Sequence, residues 1–252
     1  MSSKSTFFIA NWKMNGVPSD FKEINKVAVF LKKQLRQFKK KVVYCPPISL
    51  LAHFFKMNAI SDIEFGVQNI SNTKINFGAM TGSVSPKLAK LSGAKYAIIG
   101  HSERRAIGED FDKIKKKLIL NSNSSLNSIF CIGETLLEKK KKKSANVLKK
   151  QLAKSLSRNL NFNNIIFAYE PIWAIGTGEI PDHEYLNKIF IFLNNFLKQN
   201  YKIKHPKILY GGSVNSSNIK DLRLIPHCSG YLIGGSSFKA KNFIEIIKNY
   251  YN

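Results

Sequence analysis

Eight short apolar runs, most of them followed by a stretch of helical periodicity, constrain this chain more than any other feature it has. They lie at residues 6–10, 42–45, 63–67, 96–99, 128–132, 165–169, 208–210 and 231–233. None shows a clean apolar–polar alternation, which is the pattern of strands covered on both faces. Strands that alternate with helices pair in parallel, because a parallel partner is reached only through a crossover. Eight such units within 252 residues fit an α/β fold of the (β/α)8 barrel type, eight parallel strands with outer helices. The whole chain, residues 1–252, is then one domain. An open doubly wound sheet is the rival, but the turn after the first run, Asn11-Trp-Lys-Met-Asn-Gly16, is not the Gly-x-Gly-x-x-Gly turn such sheets often carry there.

The intervening segments read as amphipathic helices. Phe21, Ile24, Ala28, Leu31, Leu35 and Phe38 recur at three- and four-residue steps, with Ser19 or Asp20 as the cap. Asp182 caps a later helix whose face is Tyr185, Ile189, Phe192, Leu193, Phe196 and Leu197. The closing helix carries Phe243, Ile244, Ile247 and Tyr250. One connection, from Asn69 to Gly82, is long, polar and without a pattern of its own, as loops with a function often are.

In a barrel of this kind, functional residues gather just past the strand ends on one face. Here that rim would hold Asn11 and Lys13 after run one, Gln68 and Asn69 after run three, and Gly100-His101-Ser102-Glu103 after run four. Glu134 follows run five, Glu170 follows run six, Gly211-Gly212-Ser213 follow run seven and Gly234-Gly235-Ser236 follow run eight. Glu170 is the most pointed of these. It ends a strand, Pro171 stiffens the exit, and an apolar flap, Ile172-Trp173-Ala174-Ile175, closes on Gly176-Thr177-Gly178. An acid beside an apolar flap with permissive glycines at its base reads as a base under a lid; a tight turn with a buried tryptophan is the plainer alternative. Two Gly-Gly turns at neighbouring strand ends let backbone N–H groups approach an anion, although turns use such pairs widely. Lys13 is a cation facing that anion, or one surface lysine among many. His101 precedes a helix start at Ser102, where the helix dipole disfavours an imidazolium; the ring is then a neutral hydrogen-bond donor, or a structural histidine with satisfied partners.

Composition narrows the function classes. The chain has 40 Lys and Arg against 16 Asp and Glu, a net charge of +24. Lysine outnumbers arginine, and no helix-turn-helix, zinc or stacking-aromatic motif accompanies the charge. It is read as solvated surface rather than a nucleic-acid-binding face, and the run Lys139 to Lys143 as the outside of a helix. Cys45, Cys131 and Cys228 are too few and scattered for a disulfide framework. His53, His183, His205 and His227 show no ligand spacing, so no metal and no cofactor is expected. No apolar run approaches the roughly 20 residues of a membrane helix, and the first residues lack a signal-peptide layout. A cytoplasmic location follows as the expectation. A base, a neutral electrophile, a cation and a phosphate cradle suggest proton abstraction beside a carbonyl. A Schiff-base aldolase using Lys13 and a basic binding protein on an inactive barrel are the alternatives.

These residues resemble the triosephosphate isomerase family. Asn11-Trp-Lys-Met-Asn-Gly16, Gly100-His-Ser-Glu-Arg-Arg105, the stretch from Ala168 through Glu170 to Gly178, Tyr210-Gly-Gly-Ser-Val214 and Gly234-Gly235 look like that family's motifs, in its order and spacing. The resemblance runs from about Phe7 to the last helix. It implies interconversion of dihydroxyacetone phosphate and glyceraldehyde 3-phosphate through an enediolate, in glycolysis and gluconeogenesis. Glu170 would match the family's base, His101 its neutral electrophile, Lys13 its electrostatic contributor and Asn11 a substrate contact. Gly176, Ser213, Gly234 and Gly235 would match its phosphate-binding positions, with residues 171–178 the closing lid. The family is usually dimeric, which implies a homodimer through the loop from Asn69 to Gly82, with Thr81 near its end. Two departures stand out. Ser83 occupies the place of an acidic residue that pairs with an arginine matching Arg104, and the segment between Arg105 and Gly108 is one residue short.

Overall fold

The computed structural model describes residues 5–34, 38–57, 63–176 and 178–252. Eight strands close into a barrel in sequence order, each parallel to both neighbours. They are β1 (Thr6–Asn11), β2 (Lys40–Cys45), β3 (Ile63–Val67), β4 (Ala94–Ile99), β5 (Asn127–Ile132), β6 (Ile165–Tyr169), β7 (Lys207–Tyr210) and β8 (Cys228–Ile233). The helices of the described residues are α1 (Phe21–Gln34), α2 (Ile48–Met57), α3 (Pro86–Leu91), α4 (Ser102–Ala106), α5 (Phe111–Asn123), α6 (Leu136–Lys140), α7 (Ser144–Ser155), α8 (His183–Tyr201), α9 (Ile219–Leu222) and α10 (Ala240–Tyr251).

Both faces of the strands are covered, and this explains the unbroken apolar runs. Along β1, Phe7 and Ile9 belong to a compact cluster with Val43, Ile98, Ile129, Ile166, Leu209 and Leu232, which fills the barrel. Phe8 and Ala10 belong to a larger cluster with helix residues such as Ile24, Leu118, Leu193 and Phe243. Alternate residues thus enter different apolar layers. Each fully buried Leu, Ile or Phe contributes about 1.5–3 kcal/mol relative to exposure, so neither layer tolerates a register slip. One glycine is required by the pairing itself. Gly230 has φ +144 and lies where an added Cβ would be 2.1 Å from the Phe7 carbonyl oxygen, at the irregular register between β7 and β8.

The strands extend beyond the apolar runs at their N-terminal ends, taking in Lys40, Lys41, Lys95, Asn127 and Lys207. Those ends reach the mouth opposite the functional rim, where polar side chains meet water while the backbone ladder continues. The helix faces also need adjustment. In α1, Ile24 and Leu31 are buried as the periodicity predicts, but Val27 and Phe30 complete the face, and Phe21 and Ala28 are only half-buried. Phe38 stands outside the helix and stacks on Tyr251, with centroids 4.3 Å apart. Leu35 and Thr177 lie outside the described residues. The Asp20 carboxylate accepts the Val17 N–H at 3.0 Å and so closes the turn before α1 rather than capping the helix directly. In α8, Asp182 is the cap, accepting the Tyr185 N–H at 2.7 Å. Leu186 and Phe190 are buried there, whereas Phe192 and Phe196 are half-buried and stack on each other. No helix of the described residues is long and apolar enough to cross a membrane.

Candidate active site

The C-terminal rim holds a cavity of about 280 Å³. Asn11, Lys13, His101, Glu170, Gly176, Ser213, Gly234 and Gly235 all line it, so the barrel brings together every residue singled out for the site. Ile175 of the expected flap lines it as well, and Leu232 of β8 adds apolar wall that sequence reasoning did not assign.

Glu170 follows β6 directly and is 1% exposed. Its backbone N–H donates to Ile132 O at 2.7 Å, and the Gly211 N–H donates to Tyr169 O at 2.8 Å, pinning the strand end on both sides. Neighbouring chain approaches so closely that Cβ atoms are excluded. One added at Gly133 would lie 1.7 Å from the Glu170 carbonyl oxygen, and one at Gly211 would lie 2.8 Å from Glu170 Cγ. The carboxylate is therefore aimed by its walls. Oε1 lies 3.1 Å from His101 Nε2, and Oε2 accepts the Ser102 N–H at 3.4 Å. Burial alone raises the pKa of this carboxyl group. Contact with His101, the Arg105 charge and the Ser102 N–H outweigh burial and hold it below its ordinary value.

His101 is the N-cap of α4, and its Nδ1 accepts the Glu103 N–H at 3.2 Å. That bond leaves the ring proton on Nε2, facing Glu170 and the cavity. Burial pushes the imidazole pKa down while the Glu170 carboxylate pulls it up, and the net direction with the two in contact is upward. An imidazolium, however, would set an Nδ1–H against the Glu103 N–H. The Glu103 N–H at Nδ1 is the bond that the neutral Nε2–H tautomer makes. The backbone donor at Nδ1 favours a neutral ring, in the same direction as the helix dipole.

Lys13 adopts φ +53, a left-handed conformation that costs a non-glycine residue on the order of 1 kcal/mol. Its neighbours hold it there. The Lys13 N–H donates to Asn11 Oδ1 at 3.1 Å. Gln68 Nε2 donates to Lys13 O at 2.7 Å and to Cys45 O at 2.8 Å. The ammonium lies 2.6 Å from Glu103 Oε1, and Cε would be 3.6 Å from a Cβ at Gly234. Lys13 thus runs from the histidine side of the cavity to the glycine turn after β8. On the opposite wall, Ser213 Oγ donates to Ala174 O of the flap at 2.9 Å.

Two rim residues turn elsewhere. Glu134 is fully buried beneath the flap and absent from the cavity lining. Its Oε1 accepts from Tyr169 Oη, Trp173 Nε1 and Tyr185 Oη at 3.0, 3.0 and 2.8 Å. Asn69 Oδ1 accepts from buried Lys117 at 2.6 Å, and Lys117 is also paired with Glu109. Arg104 lies near the same group, its Nε 3.9 Å from Glu109 Oε2. Among the described residues, no three His, Cys, Asp or Glu side chains gather where they could share a metal ion.

Comparison with known proteins identifies the family. The sequence model of the family described as Triosephosphate isomerase matches residues 6–250. The chain belongs to the triosephosphate isomerase family. Family members from Buchnera aphidicola subsp. Schizaphis graminum and subsp. Acyrthosiphon pisum are 39% and 41% identical to it, each alignment covering 97% of both chains. The crystal structure of triosephosphate isomerase from Bartonella henselae superposes with a TM-score of 0.88 at 32% identity, covering 98% of this chain and 99% of that one.

Proposed function

We propose that this chain interconverts dihydroxyacetone phosphate and D-glyceraldehyde 3-phosphate, an aldose–ketose isomerisation of glycolysis and gluconeogenesis. The observation that carries the reading is the buried pair at the cavity wall, the Glu170 carboxylate and the Nε2 of an imidazole whose Nδ1 is already occupied. In this reading Glu170 takes a proton from carbon 1 of the ketose and returns it to carbon 2. His101 donates Nε2–H to the oxygens of the enediolate, and the Lys13 ammonium stabilises their charge. Substrate entering between Glu170 and His101 removes the contact that lowers the carboxyl's pKa. Burial still raises it, so the carboxylate becomes more basic when a C–H proton is presented to it.

Asn11 is proposed as a further substrate contact, and the backbone around Gly176, Gly234 and Gly235, with Ser213, as the phosphate cradle. Residues 171–178 close over the intermediate and exclude water. The chain works as one domain in the cytoplasm, without cofactor or metal. It forms a homodimer through residues 69–82, a reading supported by exposed Ile75, Phe77 and Met80 on that loop and by Met14 beside the site, which is 96% exposed. The +24 charge draws the phosphate dianion to the rim, an effect that salt suppresses.

The test is a coupled assay with glyceraldehyde 3-phosphate, run with and without an enediolate-mimicking hydroxamate. Glu170→Asp and His101→Gln are each expected to lower kcat by about a hundredfold or more and to change KM far less. Unchanged kcat in both variants would remove the mechanism. A substrate-dependent borohydride adduct on Lys13 would favour an aldolase instead.

A further inference from the structure

A second cavity, of about 110 Å³, opens at the other mouth of the barrel, where β7 and β8 begin. Its lining comes from the end of α8, the connection into β7 and the start of β8. Lys198, Lys204, His205 and His227 are its exposed residues, Cys228 and Ser229 are half-buried, and Asn194 is 5% exposed. Among the described residues no carboxylate lines it, and neither Lys198 nor Lys204 forms an ion pair. The chain around it is equally one-sided, since residues 185–244 carry nine Lys and Arg and a single acid, Asp221. Asn194 needs a separate explanation. It shares the buried face of α8 with Leu186, Ile189, Phe190, Leu193 and Leu197, where an amide costs free energy unless its polar atoms are bonded. Its side chain makes one hydrogen bond among the described residues, from Nδ2 to Asn195 Oδ1 at 3.2 Å, so the second Nδ2 proton has no protein acceptor. Cys228 brings no negative charge either. Its thiol donates to Gly230 O at 3.3 Å, and burial pushes its pKa up to about 11.

We propose that this cavity is an anion site for a small inorganic oxyanion of the phosphate class, held by Lys198 and Lys204 with Asn194 and Ser229. Such an ion offers acceptors on every side, and the lining supplies donors: two ammonium groups, a hydroxyl and a buried amide. The volume is less than half the 280 Å³ of the active-site cavity, which suits a bare oxyanion rather than a sugar phosphate. Lysines alone would not single the place out on a chain of net charge +24. The larger cavity beside β2 and β3 has four of them, but it also holds Glu64, already paired with Lys95. What distinguishes the site between β7 and β8 is the lack of any carboxylate together with the buried amide. A bound oxyanion ties the end of α8 to the starts of two strands, so it stabilises the folded chain by linkage. The site lies at the opposite mouth from Glu170 and His101 and does not depend on the isomerase reading.

The test is equilibrium dialysis of radiolabelled inorganic phosphate against the full chain, with ionic strength held constant by chloride. The isomerase reading gives the active site a phosphate cradle of its own. Each titration is therefore run with and without a saturating enediolate-mimicking hydroxamate, which fills that cradle. With the hydroxamate present, the wild type should still bind phosphate, close to one equivalent per chain. Lys198→Met combined with Lys204→Met should weaken that binding by about tenfold or more. Lys140→Met combined with Lys141→Met removes the same charge from exposed surface elsewhere and should leave it unchanged. Phosphate should also raise the Tm of the hydroxamate-bound wild type and not that of the Lys198/Lys204 variant. A wild type that binds no phosphate beside the hydroxamate overturns the proposal. Equal weakening in both double variants overturns it too, because the phosphate would then answer to overall charge and not to this cavity. A hydroxamate that fails to bind counts against the isomerase reading, and the difference between the two double variants then decides the far site by itself.

Discussion

Replacing Gly211 with alanine tests whether the base is aimed by the walls of its pocket. The new methyl would lie 2.8 Å from Glu170 Cγ, 3.4 Å from Tyr169 O and 3.6 Å from Glu170 Oε1. Carbon atoms pack at about 3.5–4.0 Å, so the Glu170 side chain must retreat by roughly 0.7–1.2 Å. It cannot retreat by moving its backbone, because Glu170 N–H is bonded to Ile132 O and the Gly211 N–H to Tyr169 O. The carboxylate must instead swing toward the cavity and lose its register with His101 Nε2. A displacement of about 1 Å at a reacting group costs on the order of a hundredfold in rate. Gly211 has no positive φ, so the backbone itself is not strained by alanine, and the overpacking costs about 1–3 kcal/mol. At roughly 2–4 °C per kcal/mol for a chain of this size, Tm should fall by about 2–12 °C. The coupled glyceraldehyde 3-phosphate assay should show kcat down by about 10- to 100-fold and KM changed by less than about threefold. A variant that loses thermal stability but keeps wild-type kcat would refute the argument, because the wall would then be packing and not aim. A loss carried entirely by KM would refute it equally.

Other outcomes follow from groups outside the reacting centre. Lys117→Met leaves the buried Glu109 carboxylate without its ammonium and should cost about 3–5 kcal/mol, read as a large fall in Tm; the double variant with Glu109→Leu should recover much of that loss, and no recovery would mean that packing, not charge, is at stake. Glu64 accepts from Tyr96 Oη at 2.6 Å and Lys95 Nζ at 2.9 Å. Burial raises its pKa, but these partners outweigh burial and hold it below the ordinary 4.5. A depressed folded pKa gives stability that is present above the unfolded value and lost as pH falls through the folded one, so the Tm gap between wild type and Glu64→Gln should be widest above pH 4.5 and close below it. A gap independent of pH would contradict this. Sedimentation velocity at micromolar concentration should give a dimer for the wild type and a monomer of low activity for Phe77→Asp; a fully active monomer would end the crossed-loop reading.

Much of the site was legible because the barrel maps sequence order onto space. A residue just after an apolar run lands on the rim, so Asn11, Lys13, His101, Glu170 and the glycine turns could be gathered from position alone, and the cavity collects them. The same rule puts Glu134 and Asn69 past their strand ends but says nothing of where their side chains turn. It fixes which end of the strand a residue occupies, not whether its side chain turns inward or toward a neighbouring helix. Glu134 turns to three aromatic donors and Asn69 to a buried lysine, partners from 35 to 51 residues away in the chain. Periodicity likewise found the helices but blurred their faces. Val27 and Phe190 are as buried as any residue predicted for those faces, and Phe30 is buried beside them, because the barrel surface is curved and admits a wider apolar stripe than one row of contacts.

The sequence by itself determined the count and order of the strands and the chemistry available at their ends. Both are local properties, set by which residues favour extended backbone and which functional groups follow them. Only the tertiary structure decided how those groups are held. The His101 ring faces the Glu170 carboxylate from another strand end, and the left-handed turn at Lys13 is held by a glutamine from a third. The aim of Glu170 is set by glycines whose missing side chains matter only because another segment passes within van der Waals distance. Likewise one lysine of five equal letters becomes a cation over an indole only when α6 and the flap are packed together. Orientation and desolvation depend on neighbours distant in the chain, and no local pattern encodes them.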